Sequence, residues 1–216
     1  PLGIYVHVPF CRSKCQYCDF YSLTEKHDKL IDGYLDATIN HIKETGALAP
    51  GYRVDTVYFG GGTPSFFGAG GMAAILAAIR KAFTAANNAE ITFEANPDSV
   101  SDRLLRRLRG EGFNRVSLGI QCDDDAVLAQ LGRPHDYQQA KDAVRMIRKA
   151  GFKNLSLDLI YGLPHQSMER WQENLAAAVA LQPEHLSCYG LKVEEGTPLA
   201  AMTVSLPDDE AQSEMY

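Results

Sequence analysis

Tyr5-Val-His-Val-Pro-Phe-Cys11-Arg-Ser-Lys-Cys15-Gln-Tyr-Cys18 is the stretch on which the reading of this chain turns. Three thiols, Cys11, Cys15 and Cys18, fall within eight residues, directly after the short β-branched run Ile4–Val8. A cubane of four irons and four sulfides takes one thiolate per iron. Three thiolates on one loop therefore hold three irons and leave the fourth open to a small chelating molecule. Plainer readings stand beside this one. A zinc site lacks a fourth Cys or His at finger spacing. A disulfide leaves one thiol over, and no signal-peptide pattern points to an oxidising compartment.

Composition narrows the function classes. The chain has 216 residues, 45% of them hydrophobic, and a formal net charge of −6. That suits one substantial core, and mild acidity argues against a nucleic-acid scaffold, whose phosphate contacts need clustered Lys and Arg. The most basic segment, Arg103-Leu-Leu-Arg-Arg-Leu-Arg109, has its leucines at helical spacing and reads as the solvated side of an amphipathic helix. No apolar run approaches the roughly 20 residues that span a bilayer. Pro1 is expected to follow a removed initiator Met. Asp208 to Tyr216 opens like a capped helix and stops without a terminating signal. The expectation is one core domain over residues 1–206, with 207–216 the start of a truncated or partly ordered C-terminal region.

An alternation runs along the chain. Strand-like runs lie at Ile4–Val8, Val54–Phe59, Glu90–Ala95, Arg115–Ile120, Leu155–Ile160 and His185–Leu191. Helical patterns separate them: Asp28 to Thr45, Met72 to Phe83, Ser101 to Arg109, Ala126–Leu131 with Tyr137–Lys149, and Ser167 to Leu181. Six β-then-α units predict an α/β fold with a parallel sheet and right-handed crossovers. Most strands read as apolar on both faces. Period alone leaves an open (β/α)6 partial barrel and a doubly wound sheet equally open.

Chemistry in α/β barrels gathers at the carboxyl ends of the strands. The first strand ends at the cysteines and the second in Gly60-Gly61-Gly62-Thr63-Pro64, where the missing Cβ atoms let backbone amides approach a ligand. A glycine run is also often only a turn. The third strand ends at Glu94-Ala-Asn-Pro97, a solvent-facing carboxylate or an acceptor for a ribose hydroxyl. The fourth ends at Gln121, with Arg133 beyond a short helix, either a surface residue or a partner for a ligand carboxylate. The fifth ends in Asp158-Leu-Ile-Tyr-Gly-Leu-Pro164, where Asp158 interrupts an apolar run and needs a partner to offset desolvation. The sixth gives Ser187-Cys-Tyr-Gly-Leu-Lys192. Cys122 and Cys188 are expected to be core thiols or to stand just behind the site, and His7 and His135 to be hydrogen-bonded packing residues rather than acid–base groups.

Taken in order, these pieces resemble the radical S-adenosylmethionine (SAM) superfamily, through its C-x3-C-x2-C spacing. Within it they resemble the oxygen-independent coproporphyrinogen III oxidase family. The matching pieces are Tyr5 to Cys11, the three-Cys loop, Tyr58-Phe-Gly-Gly-Gly-Thr-Pro64, Glu94, Gly119-Ile-Gln121, Arg133 and Asp158 to Pro164. The resemblance implies a partial triosephosphate-isomerase-type (TIM-type) barrel and a separate C-terminal domain. It implies a 4Fe–4S cluster on Cys11, Cys15 and Cys18, with SAM chelated at the open iron and cleaved on cluster reduction to methionine and a 5′-deoxyadenosyl radical. It makes Tyr5, Tyr17, Gly61, Gly62, Thr63, Glu94, Gln121, Arg133 and Asp158 the SAM contacts, with the glycine run serving the cofactor's amino group and Lys192 a contact through backbone.

Within that family the chain departs from the oxidases. They carry a fourth Cys two residues after the third, where this chain has Phe20, and a long N-terminal arm where this chain has Pro1 to Gly3. Both departures resemble the HemW-like branch of haem chaperones, which bind haem through residues beyond the end of this chain and hand it to respiratory acceptors. Two classes of function follow. One is a haem chaperone in a reducing cytoplasm, with haem as cargo, acceptor proteins as partners and an electron donor for the cluster. The other is an oxidase or a HemN-like methyltransferase acting on a tetrapyrrole or another substrate.

Overall fold

The computed structural model describes residues 1–25 and 27–216. Six strands, β1 (Leu2–Val8), β2 (Arg53–Gly61), β3 (Thr84–Ala95), β4 (Arg115–Gln121), β5 (Asn154–Tyr161) and β6 (His185–Gly190), form one sheet. Between and after them come α1 (Asp28–Leu48), α2 (Pro64–Phe67), α3 (Ala69–Ala82), α4 (Asp102–Gly110), α5 (Asp125–Gln130), α6 (Tyr137–Lys149), α7 (Met168–Val179) and α8 (Asp209–Met215). Every neighbouring pair of strands is parallel, and the spatial order is the sequence order, β1 to β6. A doubly wound sheet reverses its order at a switch point. This one never does, so the fold is the open (β/α)6 half-barrel of TIM type.

Local chemistry sets the helix starts. Ser101, Asp136, Ser167 and Asp208 each accept a hydrogen bond at the first turn of α4, α6, α7 and α8, from the amides of Leu104, Gln139, Arg170 and Ala211. Two elements start three or more residues ahead of their sequence pattern. β3 begins at Thr84 rather than Glu90, because Thr84 and Ala85 pair with Arg53 and Val54 before a register shift restores pairing at Thr56 and Glu90. α3 starts at Ala69 rather than Met72.

The strands are not apolar on both faces, contrary to the sequence pattern. Leu155, Leu157 and Leu159 of β5 are fully buried on one face, while Ser156 and Asp158 occupy the other. The buried face meets the helices, where Phe59, Phe93, Phe113 and Phe152 form a chain of rings 5.2–5.8 Å apart. The opposite face carries Tyr58, Glu94, Ser117 and Asp158, which bond to one another across strands. An open half-barrel leaves that inner face free for polar work. Cys188 is exposed rather than buried, since β6 is the terminal strand with a neighbour on one side only. The segment after 206 packs onto the core: Met215 is buried, and the Trp171 indole donates to its carbonyl at 2.9 Å.

Two glycines give opposite expectations. A Cβ on Gly62 would lie 2.8–3.0 Å from the backbone of Val8 and Phe10, whereas one on Gly33, inside α1, meets nothing within 4 Å. Gly62→Ala should therefore cost about 2 kcal/mol or more through overpacking against rigid backbone. Gly33→Ala should add about 0.5–1 kcal/mol. Thermal melts check both, since 1 kcal/mol moves the midpoint of a chain this size by roughly 2–4 °C.

Candidate cluster and cofactor site

The cysteine loop leaves β1 at Val8 and is tied down along its length. The amides of Gly62 and Thr63 donate to the carbonyls of Val8 and Phe10, both at 2.8 Å. Cys11 N donates to Leu23 O at 2.9 Å and Gln16 N to Leu131 O at 2.9 Å. Cys11 is buried, and Cys15 and Cys18 are half-buried. The Thr63 hydroxyl donates to Cys11 Sγ and the Arg133 guanidinium to Cys15 Sγ, each at 3.5 Å. Burial pushes the Cys11 thiol up, partly offset by the Thr63 hydroxyl, and pushes Cys18 up, partly offset by the Phe20 backbone. Among the described residues no three His, Cys, Asp or Glu side chains are grouped to hold a single metal ion. A zinc ion would draw its thiolates to about 2.3 Å from one centre, whereas a cubane spreads them over different irons.

Arg133 decides whether these residues fit a cluster and its cofactor. Its guanidinium donates to Asn96 Oδ1 at 2.7 Å, Gly119 O at 2.8 Å and Cys15 Sγ, and its Nε is buried without a partner. No carboxylate pairs with it among the described residues. A buried cation held only by neutral acceptors is costly. A cluster on three thiolates carries net negative charge, and a ligand carboxylate would meet the free Nε–H. The pocket therefore fits both groups. Tyr17 lies beside Arg133, and burial pushes its hydroxyl well above the usual phenol range despite that neighbouring charge.

The inner face continues from this point. Tyr58 donates its hydroxyl to Glu94 Oε1 at 2.8 Å, and Gly61 N donates to Glu94 Oε2 at 3.1 Å. The Ser117 hydroxyl lies 2.9 and 3.1 Å from the two oxygens of Asp158. Tyr5 stacks on Tyr58 at 6.1 Å, and its hydroxyl meets His7 Nδ1 at 3.1 Å. His7 Nε2 meets Tyr21 O at 2.9 Å, so His7 is hydrogen-bonded packing, as is His135 against Ile120 O. Burial and the Arg133 charge depress His135 to about 4. Gln121 is buried with φ at +66°, beside the bare Gly119, where a Cβ would lie 2.7 Å from Gln121 Nε2.

One expectation needs adjusting. The amides of Gly61, Gly62 and Thr63 are taken by Glu94, Val8 and Phe10, so they do not face a ligand. A cofactor ammonium needs acceptors rather than amide donors in any case. Lys192 points outward, its side chain 79% exposed and paired with Glu194 at 2.6 Å, apart from the network that joins the other predicted residues.

The model of the Radical SAM superfamily matches residues 5–178. The chain belongs to the radical SAM superfamily. Membership implies a 4Fe–4S cluster and SAM. Within the superfamily the chain is similar to HemW and HemN proteins. It is 39% identical to the haem chaperone HemW of Escherichia coli K12 and 38% to that of Mycobacterium tuberculosis H37Rv. Both matches cover 100% of this chain and 57% of the relative, so the chain spans little more than half their length. Among solved structures, the coproporphyrinogen III oxidase HemN of E. coli superposes over 100% of this chain and 50% of its own, with a TM-score of 0.88 and 30% identity. An archaeal Elp3 from Methanocaldococcus infernus, at 18% identity and a TM-score of 0.69, shares the fold. No helix among the described residues is long and apolar enough to cross a membrane.

Reading strand ends missed Asn96 and Ser117. Asn96 stands two residues past Glu94 in a quoted motif, and Ser117 shares Asp158's face by period 2; neither signal names a partner.

Asp158 and Glu94 give a pH prediction. Burial raises both carboxyl groups, and the Asp158 charge raises Glu94 further, with the Tyr58 hydroxyl offsetting part at Glu94 and the Ser117 hydroxyl offsetting part at Asp158. Their native values thus lie above the unfolded ones of about 4. The native state keeps protons that the unfolded chain has lost, so stability falls as pH rises from about 4 through the raised values, and the full cost is present above them. Asp158→Asn should therefore raise the melting midpoint of cluster-free protein at neutral pH by a few degrees. The gain should disappear below about pH 4, as thermal melts across that range would record.

Proposed function

We propose that this chain is the radical SAM core, with boundary near residue 206, of a HemW-like haem chaperone working in a reducing cytoplasm. Cys11, Cys15 and Cys18 would hold the cluster, and Tyr5, Tyr17, Gly61, Gly62, Thr63, Glu94, Gln121, Arg133 and Asp158 would form the SAM pocket, with Lys192 contributing backbone alone. The carrying observation is the similarity to proteins named haem chaperone HemW at 33–39% identity, together with Phe20 at the position of the oxidases' fourth Cys. Phe20 is 65% exposed beside the loop and brings no metal-binding atom. When bound and reduced, the cluster would supply the electron that cleaves SAM. The protein's own part is to hold three thiolates in a donor-rich seat, offer acceptors to an ammonium, and present Arg133 Nε–H to a carboxylate. Haem is the proposed cargo, with haem-acceptor proteins and an electron donor as partners.

Anaerobic reconstitution of the full-length protein should give about four irons per chain. Replacing Cys11, Cys15 or Cys18 by Ala should abolish the cluster, while replacing Cys122 or Cys188 should not; iron retained without Cys15 would remove the basis of the assignment.

Glu94→Ala or Asp158→Ala should weaken SAM binding by roughly 1–3 kcal/mol, the scale of losing a hydrogen bond to a charged group, and leave the iron content unchanged. Calorimetry on the reconstituted full-length protein reads both.

The choice between chaperone and oxidase rests on haem. Full-length protein should bind haem on titration and should not convert coproporphyrinogen III to protoporphyrinogen IX. Robust decarboxylation of the propionates would overturn the chaperone assignment.

A further inference from the structure

Asn96 belongs to none of the residues assigned above, yet its carboxamide joins two of the three cysteines. Its Oδ1 accepts from Arg133 at 2.7 Å, and its Nδ2 donates to Thr63 Oγ1 at 3.2 Å. Those two partners are the groups that donate to the sulfurs of Cys15 and Cys11. The direction of each bond is fixed by chemistry. A guanidinium has no acceptor, so it can face only the amide oxygen, and the amide nitrogen must then face Thr63. With its lone pair engaged by that N–H, the Thr63 hydroxyl has its single hydrogen free for Cys11.

The surroundings hold Asn96 in this place. Ser99 Oγ accepts from the Asn96 amide at 3.0 Å and donates to its carbonyl at 2.8 Å, closing the turn after β3. In the same turn Asp98 pairs with Arg12 of the cysteine loop at 3.4 Å. Gly119 opposite is bare, since a Cβ there would stand 3.3 Å from both Asn96 Oδ1 and Arg133 and closer still to Gln121.

We propose that Asn96 is a positioning residue for the cluster. Through one amide it aims the Thr63 hydroxyl at Cys11 and the Arg133 guanidinium at Cys15, and by doing so it raises the cluster's reduction potential. Donors to ligand sulfurs favour the more negative, reduced state over the oxidised one. The inference rests on the cluster reading above and adds a residue and a direction to it.

The test is a spectroscopically monitored redox titration of the reconstituted full-length protein. Asn96→Asp keeps the shape but has only acceptors, so it would take the Thr63 hydrogen away from Cys11. It should keep about four irons and lower the ratio of reduced to oxidised cluster at a fixed solution potential about tenfold, which is about 59 mV for a one-electron couple. Charge alone would also lower the potential, so a cycle with Thr63→Val separates the two causes. If Asn96 acts through Thr63, the two substitutions together shift the potential less than the sum of their separate shifts. Full additivity, or an unchanged potential with full iron in Asn96→Asp, overturns the proposal. Should Asn96→Asp take up no iron, Thr63→Val and Thr63→Ser decide: a lowered potential in Val, restored in Ser, supports the wiring, and an unchanged one in Val refutes it. A wild-type protein that takes up no cluster overturns the underlying reading instead, and that result precedes any variant.

Discussion

Arg133 brings a permanent positive charge to the mouth of the half-barrel, where it meets an amide oxygen, a backbone carbonyl and a cysteine sulfur but, among the described residues, no carboxylate. Desolvating a guanidinium without an anion is among the more expensive arrangements a fold can carry. Much of the local structure follows from that constraint. Gly119 stays bare so that Arg133, Asn96 and Gln121 can converge. Gln121 accepts a left-handed backbone, and a strain of about 1–3 kcal/mol, at the end of β4. The cysteine loop is pinned from both sides, by Gly62 and Thr63 at its start and by the Leu131 carbonyl at Gln16. A negatively charged cluster held on the loop would resolve the imbalance that the protein alone leaves.

The two faces of the sheet divide the remaining work. The helix-facing side is built from aliphatic residues and a run of phenylalanines, and it supplies the rigidity. The inner side is built from Tyr58–Glu94 and Ser117–Asp158 pairs, whose half-buried carboxyl groups are both raised by desolvation, Glu94 also by the Asp158 charge. These pairs lower the stability of the cofactor-free protein at neutral pH. A bound group that brings hydrogen-bond donors, as an amino group and ribose hydroxyls do, would offset that cost.

The sequence showed the strand ends well and the connections between them poorly. Cys11, Thr63, Glu94, Gln121 and Asp158 were readable because each follows a β-branched run, and strand direction alone places all such ends on one rim. Asn96 was not, because its role comes from partners 33 and 37 residues away, Thr63 and Arg133. The glycine run was read as a set of free amides. Its amides are occupied, a fact that depends on the register between β1 and β2, which no local pattern encodes. The half-barrel and the doubly wound sheet share one periodicity, and only the order of pairing separates them. Cys188 shows the converse limit: an apolar strand reads as buried wherever it sits, and its exposure comes from being in the last strand.

The central claim is that three cysteines leave one iron of the cluster open for SAM. Mössbauer spectroscopy of the reconstituted full-length protein tests it most directly. The account predicts one iron in four with parameters distinct from the thiolate-bound three, and a change confined to that iron when SAM is added. Four equivalent irons, or a spectrum indifferent to SAM, would contradict it.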